Sequence, residues 1–563
     1  MHDVQMEMSS NGIDMNGTFQ QNKLSLSEIY KKMNTSIDVT KRIRYGPGEG
    51  GIRVDIGKLN ISLQQFKANN DKHRFNTFIS DLVSLRRKIM DIRPADCQKI
   101  EYPDDLPQIG VVIIFRDEWP SILLRTVYSV LQMTPEILLK EIILVDDGSK
   151  DIELRLKVAI HAKALEKVRI VRHETSRGLM MARQSGIAAV TARYFAVLDG
   201  HMEVGTKWAE PLLHRLVQEP NALLCSHVGR IDKDDFHFEL STNDPYDLQF
   251  DDHFPFFDQV TLDQRWTFYS DDFRQKRNQS VAPIPYAVIQ GMMMVMRKEF
   301  FMSIGGFDPG MRIWGSEQID ISVKTWLCGG RVEMVPCSTV GHMFRITPWG
   351  GFTKENDFHS RNKIRFARVW LDPPYSELFE DYVSTRNVTV GDLSERMSIR
   401  RRNKCKPYQY FVNVIKSISD VYIPRDIKRK GQIKNRASKL CFDLAKENEK
   451  YTLIQYSCYA VSPPNQYFIF TPTGQIRSIE GNTVSVVIKN DTVKVEAVVR
   501  QVDRGENGTK WIYEPDGSIR SEDFANLCIT ATNERSPMLT KCDGSLAQSW
   551  IFGKKRDAAV AKP

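Results

Sequence analysis

The chain has 563 residues, too many for one core, so about two to four domains are expected. With 41% hydrophobic and 26% charged residues it is globular in composition, which excludes disordered and fibrous classes. A formal net charge of +8 is small for this length, and the basic run around Arg400 reads as a solvated face, so no nucleic-acid partner is expected.

Residues 1–96 are expected to form a flexible stem. The first seventy or so are rich in Asn, Ser, Lys and Gly, including "GPGEGG" at 46–51. Within the stem, "HRFNTFISDLVSLRRKIMDIRP" spaces Phe75, Phe78, Ile79, Leu82, Leu85 and Ile89 at three- and four-residue intervals and stops before Pro94, which predicts an amphipathic helix near 73–93.

From 97 to 415 the pattern changes. "IGVVIIF" (109–115), "EIILVDDGS" (141–149), "VRIVRH" (168–173) and "YFAVLD" (194–199) are short apolar runs separated by helical patterns. Such βαβα alternation predicts a mostly parallel sheet covered on both faces, with ligands beyond the carboxyl ends of its strands. Asp146-Asp147 and Asp199-Gly200-His201 fall at that edge. In extended chain Asp199 and His201 point to one side. A carboxylate and an imidazole suit a borderline divalent ion such as Mn²⁺ that leaves positions open for phosphate oxygens. His342, in "STVGHMFR", is the candidate third ligand, and Arg345 beside it can meet a phosphate.

Competing motifs fail on spacing. "HME" at 201–203 and Pro336-Cys337 echo a zinc deaminase, but position 340 is Val where that signature needs Cys. No Walker loop or G-x-G-x-x-G follows the first strand. A nucleoside diphosphate held through a metal without a P-loop points to sugar-nucleotide chemistry. In "GGFDPGMRIWGSEQIDISVKTWLCGG" (305–330), Trp314 and Glu317 sit at a turn before a helical pattern, suited to a sugar.

A linker is expected at 416–430 and a second domain at 431–553, with a tail at 554–563. Short β-like runs here form three weakly repeated units of about forty residues, predicted to bury one shared core only when assembled. The nine cysteines include no CxxC pair, while Cys441/Cys458 and Cys528/Cys542 are spaced like two short disulfide loops. With N-x-S/T sequons at Asn16, Asn34, Asn60, Asn278, Asn387, Asn490 and Asn507, they lean toward a secretory compartment. No stretch is apolar over the length a membrane helix needs, and no signal peptide is recognised.

Taken in order, these motifs resemble one family, the polypeptide N-acetylgalactosaminyltransferases. "LPQIGVVIIF" and "LLRTVYSVL" resemble its first nucleotide-binding strand and helix, "EIILVDDGS" its uridine-binding turn, and "LDGHMEVGTKWAEPLL" its D-x-H metal motif. "DPGMRIWGSEQIDIS" resembles its W-G-G-E-N segment, "VGHMFR" its third metal ligand, and "LCFDLA" with "LCITAT" its ricin-type lectin repeats. The resemblance implies an α/β GT-A, Rossmann-like catalytic domain followed by an all-β trefoil lectin domain. It implies a Golgi-lumenal type II membrane protein whose anchor is not visible in this sequence.

The implied activity is retaining transfer of N-acetylgalactosamine from UDP-GalNAc to Ser or Thr hydroxyls of proteins or glycopeptides, by same-face attack. Mn²⁺ would be held by Asp199, His201 and His342. Asp147 would meet the uracil, Arg345 the diphosphate, Gly291 and Trp314 the donor, and Glu317 with Trp314 the reacting centre. Asp443 would bind N-acetylgalactosamine in the lectin domain. The family's cysteine pattern implies Cys97–Cys337, Cys328–Cys405, Cys441–Cys458 and Cys528–Cys542, leaving Cys225 single.

This sequence also departs from the family. H-N-E reads Arg116-Asp117-Glu118, Ala-Gly-Gly reads Ile289-Gln290-Gly291, and W-G-G-E-N carries Ser316 and Gln318. The loop "ITPWGGF" after Arg345 is shorter than the family's lid, and the third lectin repeat has Thr530 in place of the sugar-binding Asp. Metal binding is therefore expected to survive better than turnover. The alternative function is a weakly active or inactive relative acting as a glycopeptide-binding or regulatory protein.

Overall fold

The computed structural model describes residues 46–58 and 73–555, apart from 241–251, 278–280, 346–357, 384–387, 422, 426, 448–449, 460–463, 479–482, 490–491, 499–508 and 525. In the first domain, β1 (Ile109–Phe115), β2 (Leu139–Asp146), β3 (Val168–Arg172) and β4 (Tyr194–Asp199) alternate with α2 (Pro120–Met133), α3 (Ile152–Ala164) and α4 (Leu179–Ala189). Every residue of β1 is buried, as its unbroken apolar run requires of a strand covered on both faces. The parallel order is β3-β2-β1-β4, so the chain reverses direction across the sheet between β1 and β4. A crevice for ligands opens at such a switch point.

The sheet continues through β7 (Met293–Arg297), β6 (Ala222–Ile231) and β8 (Arg331–His342). β7 runs antiparallel to β4, and β8 parallel to β6. Two apolar cores lie on the sheet, one including Val112, Phe195 and Trp326, the other Val111, Leu198 and Trp208.

Two expectations about the stem need correction. Residues 46–58 are packed rather than loose: Val54 joins Phe75, Ile79 and Val83 in a small core, and the Phe238 amide donates to the Gly51 carbonyl at 2.8 Å. The helix near 73–93 is only α1 (Thr77–Leu82), capped at its start by the Asn76 side chain. It stops because Arg125 of α2 donates to the carbonyls of Ser80 and Val83, supplying what another helical turn would have supplied. Phe78 and Leu82, read as core-facing, are exposed.

The expected linker is also packed. Ile423 belongs to the first domain's core, and Ile427 packs with Val260, Leu378, Tyr467 and Ile469 across the join. The second domain begins by the strand Arg429–Asn435. Its core gathers Ile433, Phe442, Phe468, Trp511 and Trp550 from all three repeat units. The Trp511 indole donates to the Val484 carbonyl at 2.9 Å and the Trp550 indole to the Ile529 carbonyl at 2.8 Å, one role repeated in units two and three. Disulfides join Cys97–Cys337, Cys328–Cys405, Cys441–Cys458 and Cys528–Cys542, and Cys225 is a buried thiol. No helix among the described residues is long and apolar enough to cross a membrane.

Candidate active site and metal centre

Strand register assembles the Asp-His-His group. β4 ends at Asp199, and the chain turns through Gly200-His201 into β5 (Met202–Val204) rather than staying extended as the sequence suggested. β5 pairs antiparallel with β8 so that His342 stands opposite Met202, and the Met343 amide donates to the His201 carbonyl at 3.2 Å. The ligand atoms of Asp199, His201 and His342 consequently lie within 4.8 Å of one another.

The chemistry of this group fits a divalent cation. His342 is 7% exposed, and neither ring nitrogen has a hydrogen-bond partner. Burial pushes its pKa down to about 4, against the weaker pull of Asp199, so the imidazole is neutral at physiological pH. Burial alone would raise the Asp199 pKa, but His342, Arg183 and His201 hold it below its usual range. A neutral imidazole and an ionised carboxylate are the forms that bind a metal.

Sequence reasoning missed the two residues that tie this centre to its surroundings. Glu118, just past β1, takes Arg345 in a two-pronged ion pair at 3.0 and 2.5 Å, and its Oε2 lies 3.0 Å from His201 Nδ1. Burial is outweighed by the Arg345 guanidinium, with the hydrogen bond to His201, and the Glu118 pKa is held well below the usual carboxylate range. Arg345 Nη2 also approaches His201 Nδ1, at 2.7 Å, so Glu118 and Arg345 together hold that edge of the imidazole and Nε2 is the nitrogen left for a metal. Arg345 is thus held by protein rather than standing free for a diphosphate, and it lies over the Phe75 ring at 5.2 Å.

The second missed residue is Arg183 of α4. Its guanidinium reaches Asp199 at 3.3 Å, Glu317 at 3.3 Å and the Gly291 carbonyl at 2.6 Å. No motif marks it; only the fold brings these acceptors together. Gly291 itself has φ +102°, a conformation that side chains resist. Glu317 opens α5 (Glu317–Leu327) and is 3% exposed, with Oε2 accepting from the Gly315 amide at 2.8 Å. Ser316 before it has φ +68°, a left-handed conformation that the family's glycine takes without strain. Trp314 is partly exposed, edge-on to His359, and its turn is held by Asn362, which donates to the carbonyls of Arg312, Trp314 and Gly315.

Asp147 differs from the expected base contact. Its carboxylate accepts from His173 at 2.8 Å, Ser176 at 2.7 Å, the Arg177 amide at 2.8 Å and the Gly178 amide at 3.0 Å. Four bonds fill a carboxylate's capacity, so Asp147 ties down the 173–178 loop rather than offering a free lone pair to uracil. Gly148 is required beside it, since a Cβ there would stand 2.5 Å from the Ser176 nitrogen. The short loop "ITPWGGF" lies outside the described residues.

In the second domain Asp443 accepts from Asn465 at 2.7 Å and from Gln466 at 2.8 Å. In the third unit Gln548 instead donates to Thr530 and Thr540, a neutral cluster without a carboxylate.

Residues 110–305 match the glycosyl transferase family 2, residues 272–347 the N-terminal domain of galactosyltransferase, and residues 429–550 the ricin-type beta-trefoil lectin domain. The chain is 35% identical over 525 residues to polypeptide N-acetylgalactosaminyltransferase 3 of Mus musculus, covering 90% of this chain and 81% of that protein. It is 31% identical over 524 residues to polypeptide N-acetylgalactosaminyltransferase 13 of Rattus norvegicus, covering 91% and 90%. The fold is shared with a crystal structure of GalNAc-T7 with UDP, GalNAc and Mn2+, at a TM-score of 0.68 and 24% identity over 92% of this chain and 94% of that one. The chain belongs to the polypeptide N-acetylgalactosaminyltransferase family of glycosyltransferases, with a GT-A-like α/β domain followed by a ricin-type trefoil.

Proposed function

We propose that this chain transfers N-acetylgalactosamine from UDP-GalNAc to Ser or Thr hydroxyls of proteins and glycopeptides in the Golgi lumen, with retention and with Mn²⁺. The observation that carries the reading is the Asp199, His201 and His342 group, with a buried, neutral His342 whose Nε2 stands 3.6 Å from the Asp199 carboxylate, beyond hydrogen-bond distance. These three residues would hold Mn²⁺, which supplies Lewis-acid stabilisation of a diphosphate leaving group.

The chain's own residues do the rest. Glu118 orients His201 and keeps Arg345 within reach of the metal centre, poised to exchange one anion for another. Arg183 links the metal carboxylate to Glu317 and to the loop at Gly291. Both oxygens of Glu317 are engaged, by Arg183 and by the Gly315 amide, which favours an electrostatic and positioning role over nucleophilic attack. That occupancy agrees with same-face attack by the acceptor hydroxyl. Trp314 offers an apolar ring at the rim for the sugar. In the trefoil, Asp443 with Asn465 is the reading for a bound N-acetylgalactosamine on a glycopeptide.

The test is transfer of labelled N-acetylgalactosamine to a panel of Ser/Thr-rich peptides and glycopeptides with Mn²⁺, beside Asp199→Ala. Transfer by the wild type and its loss in the variant are expected. A wild-type chain that binds UDP but transfers to none of them is instead the glycopeptide-binding relative.

A further inference from the structure

Two glutamine side chains beside Gly291 have no use in the scheme above. β7 pairs with β4 so that Met293 stands opposite Leu198, which brings residues 290–292 to the same sheet edge as Asp199. Gln318, in the first turn of α5, packs on this loop: a Cβ on Gly291 would lie 3.5 Å from Gln318 Cβ and 4.0 Å from its Cδ. Gln318 is 8% exposed, and its Nε2 donates to Gln264 at 2.8 Å.

The oxygens are the notable atoms. Gln290 Oε1 and Gln318 Oε1 are both buried and both lack a hydrogen-bond partner. An unpaired buried amide oxygen is costly, and folded proteins seldom leave one without a ligand or water to meet it. Here two flank a glycine whose carbonyl is held by Arg183, the residue that touches Asp199 and Glu317. The bond from Nε2 to Gln264 fixes the Gln318 amide with its oxygen unmet, and whichever way the Gln290 amide is turned, a sugar hydroxyl can meet its buried polar atom.

We propose that Gln290 and Gln318 are specificity-determining residues that read the sugar of the nucleotide donor, accepting hydrogen bonds from the hydroxyl or acetamido N–H groups of a hexosamine. The assignment rests on the transferase reading. Under it, Gln290 does not merely fill the pocket where the family has a glycine; it adds a polar contact that makes binding depend on the sugar's hydrogen-bonding pattern. A site that hydrogen-bonds a substrate group rejects analogues lacking it far more strongly than an apolar site does.

The experiment is calorimetric titration of wild type, Gln290→Met and Gln318→Met with UDP and with UDP-GalNAc, all with Mn²⁺. Methionine keeps the length of each side chain and removes its polar end. For each variant the affinity advantage of UDP-GalNAc over UDP is expected to fall about 3- to 10-fold, the range for one lost hydrogen bond, while UDP affinity stays within about twofold. Equal weakening toward both ligands, or an unchanged advantage, overturns the proposal. If Gln318→Met does not fold, Gln290→Met at a half-buried position decides alone. A wild type that transfers sugar while both variants keep the advantage sinks only the glutamine assignment; a wild type that does not bind UDP sinks the transferase reading with it.

Discussion

Arg183 Nη1 stands 3.3 Å from Glu317 Oε1, a buried ion pair joining two helices that are far apart in sequence, and Nη2 of the same guanidinium reaches Asp199. One cation therefore offsets two carboxylates, one in the metal centre and one at the proposed reacting centre. Arginine suits this because its planar fork serves several acceptors at once, which an ammonium does not.

Arg183→Lys is expected to keep the charge and lose the fork. Breaking such a buried arrangement costs about 3–5 kcal/mol when a partner is removed outright, so the conservative change is expected to lower turnover roughly 10- to 100-fold. UDP affinity should shift much less, because two of the three contacts, to Glu317 and to the Gly291 carbonyl, lie on the sugar side and lysine keeps the charge beside Asp199. Comparing kcat with the UDP dissociation constant checks this, and an equal loss in both would show that Arg183 only holds the fold.

Glu118→Gln tests the link from Arg345 to the metal centre. The variant keeps the shape but loses the charge that draws Arg345 to within 2.5 Å and sits 3.0 Å from His201. Groups that orient a metal-bound histidine are typically worth about 10- to 100-fold in metal affinity, so Mn²⁺ binding followed by electron paramagnetic resonance is expected to weaken by about tenfold. Unchanged Mn²⁺ affinity would leave Glu118 as an anchor for Arg345 alone.

These two residues mark where sequence reading stopped. Asp199, His201 and His342 were legible because each follows an apolar run that ends at one sheet edge. Glu118 stands in a segment that departs from H-N-E, although it retains that motif's acid, and Arg183 sits mid-helix in an unremarkable pattern. Their roles depend on distances between elements, which periodicity does not carry. Asp147 is a different case: it lies at the sheet edge, but the four donors that meet its carboxylate come from His173 to Gly178, a loop with no signal of its own. The helix expected near 73–93 is shorter than its apolar spacing predicts because Arg125 ends it from outside, which spacing does not reveal.

The trefoil offers a paired test within one domain. Asp443→Ala removes a carboxylate held by Asn465 and Gln466, whereas Thr530→Ala changes the equivalent neutral position of the third unit. Loss of a charge-assisted bond is worth about 1.5–3 kcal/mol, so Asp443→Ala is expected to weaken GalNAc-glycopeptide binding at least tenfold and Thr530→Ala to leave it unchanged. Titration with a glycopeptide and its bare counterpart reads the difference. A matched loss in both variants would place the pocket elsewhere.

Glu210, 1% exposed in the first turn of the helix Ala209–Gln218, supplies a test of stability against pH away from the metal centre. Burial pushes its pKa up from 4.5 to about 8, outweighing hydrogen bonds from the helix backbone that pull the other way. The folded pKa lies above the unfolded one, so this group's contribution is fully present below about 4.5 and is lost as pH rises toward 8. The folded chain then keeps a proton that the unfolded chain has released. Glu210→Gln keeps the shape and removes the titration, and it is expected to raise stability at pH 7.5 by roughly 2–4 kcal/mol. The gain should shrink toward zero near pH 4.5. Melting temperatures of wild type and variant from pH 5 to 8 check this: the curves are expected to separate as pH rises, and curves that stay parallel would mean that Glu210 is not protonated in the folded chain.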